Sequence, residues 1–288
     1  MSQEAKIGII GGSGLYEMES LSGVSRVRVE TPFGPPSDEY LLGSLAGVRA
    51  AFLPRHGLGH RLSPSELNFR ANIFGFKKLG VERIISITAV GSLREGIRPL
   101  EMVIPDQYYD RTRNRIDTFF GQGLVAHISF ADPICPDLAG ILHQSASGSG
   151  RKVHLGGTMV CIEGPAFSTR AESELYRRWG MDIVGMTSLQ EAKLAREAEI
   201  CYAALALVTD YDCWRRDEGE VTAETVVRNL GRNIAAAKEV ILSAVPKADS
   251  EPRCSCGSAL ARAIMTDPDR ISPRALEKLE PLVGKYLK

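Results

Sequence analysis

The chain has 288 residues, with 35 Lys plus Arg against 35 Asp plus Glu and a net charge of zero. This balance offers no basic surface to a nucleic acid or an anionic membrane. No run reaches the ~18 apolar residues of a membrane span, and the acid-bearing N-terminus runs into a strand, unlike a signal peptide, so a cytoplasmic location is expected.

In chain order, Lys6–Gly11 reads as a strand entering Gly11-Gly12-Ser13-Gly14. Further strands are expected near 26–30, 40–43 and 48–53, then a helix over 65–79 on the i, i+4, i+7 pattern of Phe69, Ile73 and Phe76. Residues 83–90 read as a buried strand and 102–105 as a short one. Thr169 and Glu172 form a capping box, and Ser188 and Glu191 a second. The all-apolar run 201–208 is a parallel strand buried on both faces. Thr222 caps a long helix to about 245, residues 246–257 read as a linker, and a helix follows from 273 to 288. The fold class is therefore α/β: a single domain over 1–245 with a central mixed β-sheet flanked by helices. Residues 246–288 supply a linker and a C-terminal helix packing on it.

Polar residues recur where the strands end, which is where ligands bind in open α/β sheets. The Gly11–Gly14 turn is not a dinucleotide fingerprint, because Glu17 stands where the third glycine belongs. Its N–H groups and the Ser13 hydroxyl suit an oxyanion instead. Arg55-His56 follows another strand, and an Arg can grip phosphate with two parallel hydrogen bonds. Thr88-Ala89 closes a third strand. Phe167, with Ser168 beside it, lies on a turn where it could stack a purine. Met186 and Thr187 precede a helix N-terminus. Asp210 and Asp212 end the buried strand and share a face if extension continues past 210. Together they could grip the N7 and amino edge of an adenine.

His56 and His60 have H-x-x-x-H spacing, but Gly57 and Gly59 argue for a loop, and no metal is expected there. Four of the six cysteines are scattered (Cys135, Cys161, Cys201, Cys213) and read as core or reduced thiols. Cys254 and Cys256 form a C-x-C pair, either bystander thiols or a disulfide. No His or second Cys pair stands nearby in sequence to complete a zinc site.

The segments IGIIGGSGL, TPFGPPSD, RHG with His60, NFRANI, TAVGSLRE, GTMVCIEGPAFSTRAES, VGMTSLQEA and TDYDCW occur in one order from about residue 6 to 245. In these the chain resembles the 5′-methylthioadenosine phosphorylases, within the trimeric purine nucleoside phosphorylase fold. The resemblance implies phosphorolysis of methylthioadenosine to adenine and methylthioribose 1-phosphate, in purine and methionine salvage. No metal or organic cofactor is implied, because inorganic phosphate is the co-substrate. A homotrimer or a dimer of trimers is implied as well. Carried over by position, Ser13, Arg55, His56, Ala89 and Thr187 would hold phosphate, and Met186 would back the ribose with Thr88 nearby. Phe167 and Ser168 would flank the base, and Asp210 and Asp212 would bind its edge. His127 would reach a neighbouring subunit's 5′ pocket, lined by Val226 and Val227.

Two departures stand out. Adenine-specific members usually carry Asn-Met-Thr where this chain has Gly185-Met186-Thr187, and 6-oxopurine enzymes can carry Gly there. Those enzymes generally lack the Asp-x-Asp pair, which weighs for adenine. Residues 246–288 do not match the better-known members, although a C-x-C pair is found in some thermophilic ones. The competing readings are a 6-oxopurine nucleoside or methylthioinosine phosphorylase and, from another class, a non-catalytic nucleoside-binding protein.

Overall fold

The computed structural model describes residues 4–12, 14–15, 18–215 and 222–287. Among these, eleven strands form one mixed sheet. They are β1 (Ile7–Gly11), β2 (Leu21–Val27), β3 (Tyr40–Leu45), β4 (Val48–Pro54), β5 (Arg83–Ser92), β6 (Met102–Ile104), β7 (Gln107–Arg111), β8 (Val153–Leu155), β9 (Thr158–Ile162), β10 (Ile183–Gly185) and β11 (Cys201–Asp210). The helices are α1 (Phe69–Lys78), α2 (Pro136–Ser147), α3 (Arg170–Arg178), α4 (Ser188–Glu197), α5 (Ala223–Ala248) and α6 (Pro273–Val283). This is the expected mixed α/β domain.

The sheet branches at β5. One arm runs β5-β1-β4-β3-β2, and β11 lies on the other flank of β5, followed by β6 and β8. Strands β1, β4, β5 and β11 are mutually parallel neighbours, so their carboxyl ends gather on one side. Pairing of β1 with β5 stops at Ile10↔Ser86, and β10 joins β5 antiparallel only at Val184↔Gly91 and Ile183↔Ser92. Strand β11 pairs with β5 throughout this stretch. On the opposite edge, among the described residues, no strand pairs with Ile87–Val90. That gap is the candidate crevice, since it frees backbone groups beyond a strand end.

Several boundaries differ from expectation, each for a local reason. Helix α1 starts at Phe69 rather than 65, where the Asn68 side chain accepts from the Ala71 N–H and caps it. Thr169 and Glu172 do form the capping box of α3. The second expected box does not form: Thr187 is the N-cap of α4, without a side-chain cap bond, and Glu191 turns into the core. Helix α5 runs through Pro246 to Ala248, so the linker starts later, and α6 ends at Val283 rather than 288. Leu260, Ala263, Ile271, Leu279 and Val283 belong to the same apolar core as β1, β5 and β11, which joins residues 246–288 to the rest. Among the described residues no helix is long and apolar enough to cross a membrane.

Candidate active site

Glu191 organises the floor of the crevice. Arg55 follows the last residue of β4, and its guanidinium is buried against this carboxylate, Nε–Oε1 2.5 Å and Nη2–Oε2 3.1 Å. Nη2 also donates to Ser86 Oγ at 2.7 Å, and Nη1 to the Ile87 carbonyl at 2.9 Å, inside the gap of β5. Ser86 and the Tyr202 hydroxyl donate to Glu191 Oε2 at 2.9 and 2.8 Å, so the acid is saturated. The expected two-bond grip of Arg55 on phosphate is thereby corrected, since the matching edge of the guanidinium already holds Glu191. One Nη1 N–H remains outside this network. Burial alone would lower the Arg55 pKa, but the neighbouring Glu191 charge outweighs it and the value rises.

His56 adjoins this pair. Its Nδ1 lies 2.8 Å from the Leu62 carbonyl, which accepts only, so Nδ1 carries the hydrogen. The ring stacks on His60 with centroids 4.3 Å apart. Burial, then the Arg55 charge, push the His56 pKa down to about 4, so the ring is neutral and Nε2 is a lone-pair acceptor. Opposite, β10 leads through Met186 and Thr187 into α4, and Thr187 is buried at the N-cap. Glu191, one turn inside α4, touches Ser86 and Arg55, so this end of α4 packs on β5 at the start of the gap that holds Thr88 and Ala89. Helix N–H groups there favour an anion. Ser13 lies outside the described residues.

The second half of the site is the turn after β11. Extension stops at Asp210: Asp212 has φ 52° and donates its N–H to Asp210 Oδ1 at 2.8 Å. The two carboxyls therefore share a tight turn, not a strand face as expected. The short polar Asp side chain tolerates this left-handed backbone. Thr209 Oγ lies 2.6 Å from Asp210 Oδ2 and 3.2 Å from the Val90 carbonyl. Two asparagines of α5 hold the strand end, Asn229 donating to the Thr209 carbonyl and Asn233 to the Val208 carbonyl. Cys213 donates to the Ser168 carbonyl, and Trp214 Nε1 to Ser92 O, under the guanidinium of Arg177. Ser168 and the acid turn are thus fastened together.

Asp212 Oδ2, Ser168 Oγ and Ser173 Oγ are buried near one another, without a well-formed hydrogen bond among the described residues. Burial raises both carboxyls; for Asp212 the Ser173 hydroxyl opposes and the Asp210 charge adds, moving it from the ordinary 3.8 to about 6. Gly91 packs against this pair: a Cβ there would meet Asp210 Oδ1 at 3.0 Å and Asp212 Cβ at 3.4 Å. Gly91→Ala should therefore displace the Asp210 carboxyl by a fraction of an ångström. Its expected effect is a loss in kcat/KM approaching the ~10²-fold cost of a misplaced catalytic group, with circular dichroism unchanged. An alanine enzyme of full activity would remove Asp210 from the reacting centre.

The chain matches the phosphorylase superfamily over residues 6–246. It belongs to that superfamily. The S-methyl-5′-thioadenosine phosphorylase of Koribacter versatilis is 58% identical over 98% of this chain and 97% of its own length. That of Geobacter sulfurreducens is 56% identical over 99% and 100%. A methylthioadenosine phosphorylase from an antarctic soil metagenomic library has a solved structure that matches with TM-score 0.93 and 51% identity, over 97% of this chain and 99% of that one. The methylthioadenosine phosphorylase of Schistosoma mansoni, in complex with adenine, gives TM-score 0.84 and 37% identity over 90% and 96%. Coverage of this extent brings residues 246–288 within the likeness to the curated relatives, unlike the comparison with better-known members.

The candidate crevice has Arg55, His56, Thr88, Ala89, Met186 and Thr187 at one end and Ser168, Asp210 and Asp212 at the other. Phe167 stands on the adjoining loop, 43% exposed. Val226 and Val227 lie near the start of α5, three and two residues before Asn229, with Val227 exposed. His127 stands apart: it is exposed, and its backbone pairs with Ala263 in the C-terminal segment. Asn229, Asn233 and Arg115 went unread in the sequence, where Glu191 reads only as half of a capping box. Arg115 donates to the carbonyls of Met186 and Glu163 and so ties the two loops over the crevice. Gly185 has a packing reason, because a Cβ there would meet Met159 Sδ at 3.2 Å. An asparagine in its place would need Met159 to move.

Proposed function

We propose that this phosphorylase cleaves 5′-methylthioadenosine with inorganic phosphate, giving adenine and 5-methylthioribose 1-phosphate. The observation that carries the reading is the Asp210–Asp212 turn, with Asp212 Oδ2 buried beside Ser168 and without a hydrogen-bond partner among the described residues. A phosphate oxygen bonds to C1′ as the C1′–N9 bond breaks, and the bonding pair leaves with the purine. Asp210, whose carboxyl pKa burial raises, shares a proton with N7 and so neutralises the departing base. Asp212, ionised, accepts from the amino group and so selects adenine over a 6-oxopurine, whose oxygen it repels. Phosphate sits between the α4 N-terminus, the gap of β5 and the Arg55 Nη1 edge, with Thr187 and Ala89 around it and Ser13 carried over as a ligand from the resemblance alone. Neutral His56 accepts the P–OH hydrogen of the phosphate at Nε2. Met186 and Thr88 back the ribose, and Phe167 stacks the base.

The reading includes a homotrimer or pair of trimers, with His127 reaching a neighbour's 5′ pocket beside Val226 and Val227. It places the enzyme in the cytoplasm, in purine and methionine salvage, and uses no cofactor in the chemistry. The test is product release from methylthioadenosine and methylthioinosine, each with and without phosphate. Phosphate-dependent adenine release, with the inosine analogue much slower, supports the reading. Faster cleavage of the inosine analogue would instead assign specificity to Gly185, and no turnover would leave a nucleoside-binding protein.

The raised Asp212 pKa gives a signed pH prediction. As pH falls through about 6 Asp212 protonates and loses its acceptor, so kcat/KM for methylthioadenosine should fall on that acid limb. Asp212→Asn should abolish the limb and shift preference towards 6-oxopurines. Stability should move the opposite way. A carboxyl whose folded pKa is raised stabilises fully only below 3.8 and loses that contribution as pH rises through about 6. At pH 8 the Asn variant should therefore be more stable than the parent, by up to about 2–3 kcal/mol, as read by urea unfolding.

A further inference from the structure

Two of the cysteines scattered in sequence meet the C-x-C pair in space. The sulfurs of Cys135, Cys201, Cys254 and Cys256 all lie within 4.8 Å of one another, and Cys201 Sγ is 3.3 Å from Cys254 Sγ. We propose that these four cysteines form a structural zinc site of tetrathiolate type that fastens the C-terminal segment to the sheet.

The geometry supports a metal. Four sulfurs at ~2.3 Å from a tetrahedral zinc stand about 3.8 Å apart, and the cluster is within a small closing motion of that. A disulfide needs ~2.05 Å, and all six cysteines are free. The four ligands come from three separate pieces of chain, each pinned by its own backbone. Cys135 is the N-cap of α2, its N–H donating to the Tyr202 carbonyl next to Cys201. Cys201 opens β11 and donates its N–H to the Glu82 carbonyl. The C-x-C loop is held by Lys285 on the Gly257 carbonyl, and by Glu199, which accepts from the Leu260 N–H.

A buried cation also adjoins the cluster, itself paired with Asp137. Zinc with four thiolates carries two negative charges, which the interior must balance. Arg83, 1% exposed, stands beside Cys201 in the parallel register of β5 and β11. It donates to the Ser250 carbonyl and pairs with Asp137 in the first turn of α2, which itself accepts from the Arg253 N–H. Its Nη1 is buried with no partner among the described residues. The α2 N-terminus adds its dipole to Cys135. Binding exchanges four thiol protons for one Zn²⁺ and moves no electrons. Tetrathiolate donors with no open position suit a structural rather than a catalytic zinc, and the cluster lies about 30 Å along β11 from Asp210.

The experiment is metal analysis of the full chain purified under reductant, with thiol titration before and after a chelator. The expected result is one zinc per chain, four thiols shielded until the metal is removed, and a large fall in melting temperature on removal. Cys254→Ser should lose the zinc yet keep phosphorolysis at moderate temperature. Should that variant not fold, exchange of the parent enzyme with Co²⁺ should give the visible bands of tetrahedral thiolate cobalt. Metal-free protein with four reactive thiols, a mass lowered by disulfide formation, or iron absorption in place of zinc would each overturn the proposal.

Discussion

Asp210→Asn is expected to lower kcat/KM for methylthioadenosine by about 10²–10⁴-fold, the usual contribution of a general acid. The nucleoside KM should move far less, because an Asn amide can still hydrogen-bond N7 but cannot give it a proton. The proton supply follows from Thr209. Its Oγ lies within hydrogen-bond reach of both Asp210 Oδ2 and the Val90 carbonyl. While Asp210 is ionised, the Thr209 hydroxyl donates to it. When Asp210 is protonated, the same hydroxyl turns to Val90 and leaves its oxygen to accept. The acid can thus hold or release a proton without a buried group being stranded, which would cost about 1–3 kcal/mol. Thr209→Val should accordingly cost activity in the same direction, by less. A loss confined to KM in the Asp210 variant would assign that residue to binding alone.

Glu191→Gln is the second large effect. Arg55 and Glu191 are both nearly wholly buried, and removing one charge of such a pair costs about 3–5 kcal/mol, because the other is left uncompensated. Denaturant unfolding should show that loss. The orphaned Arg55 charge should then bind phosphate more tightly, so phosphate KM should fall while kcat also falls through loss of position. The variant's melting temperature should rise with added phosphate by more than the parent's, since a ligand that binds only the folded state stabilises it in proportion to its affinity. A variant as stable as the parent without phosphate would mean that the neutral amide and its neighbours compensate for the charge, and the positioning role of Glu191 would be lost.

The residues legible in the sequence were those marked by local chemistry. Arg55, Thr88, Met186, Thr187 and Asp210 each stand where an apolar run gives way to polar or turn residues, and parallel strands gather such ends. What could not be read was set by contacts distant in sequence. Glu191 satisfied the local spacing of a capping box, but its partner Arg55 lies in another strand, and the buried ion pair won over the cap. A signal was present: its i+3 and i+4 neighbours, Leu194 and Ala195, are apolar, which marks an acid on a helix's inner face. Asn229 and Asn233 share the i, i+4 spacing that lets both reach the end of β11. The Asp-x-Asp turn departs from strand periodicity because the backbone turns left-handed at Asp212, where nothing in the local pattern ends the extension. The four cysteines met only through the tertiary fold.

The strand that ends in Asp210 is the last strand among the described residues, yet it lies between β5 and β6 in the interior of the sheet. A growing chain therefore carries β5 and β6 with open edges until residue 210 has left the ribosome. Pairing so distant in sequence makes for slow folding, and unpaired edges invite association with other chains. A nascent fragment ending before β11 is accordingly the species most in need of a chaperone. The crevice, whose acid turn arrives last, is assembled only when that strand is inserted.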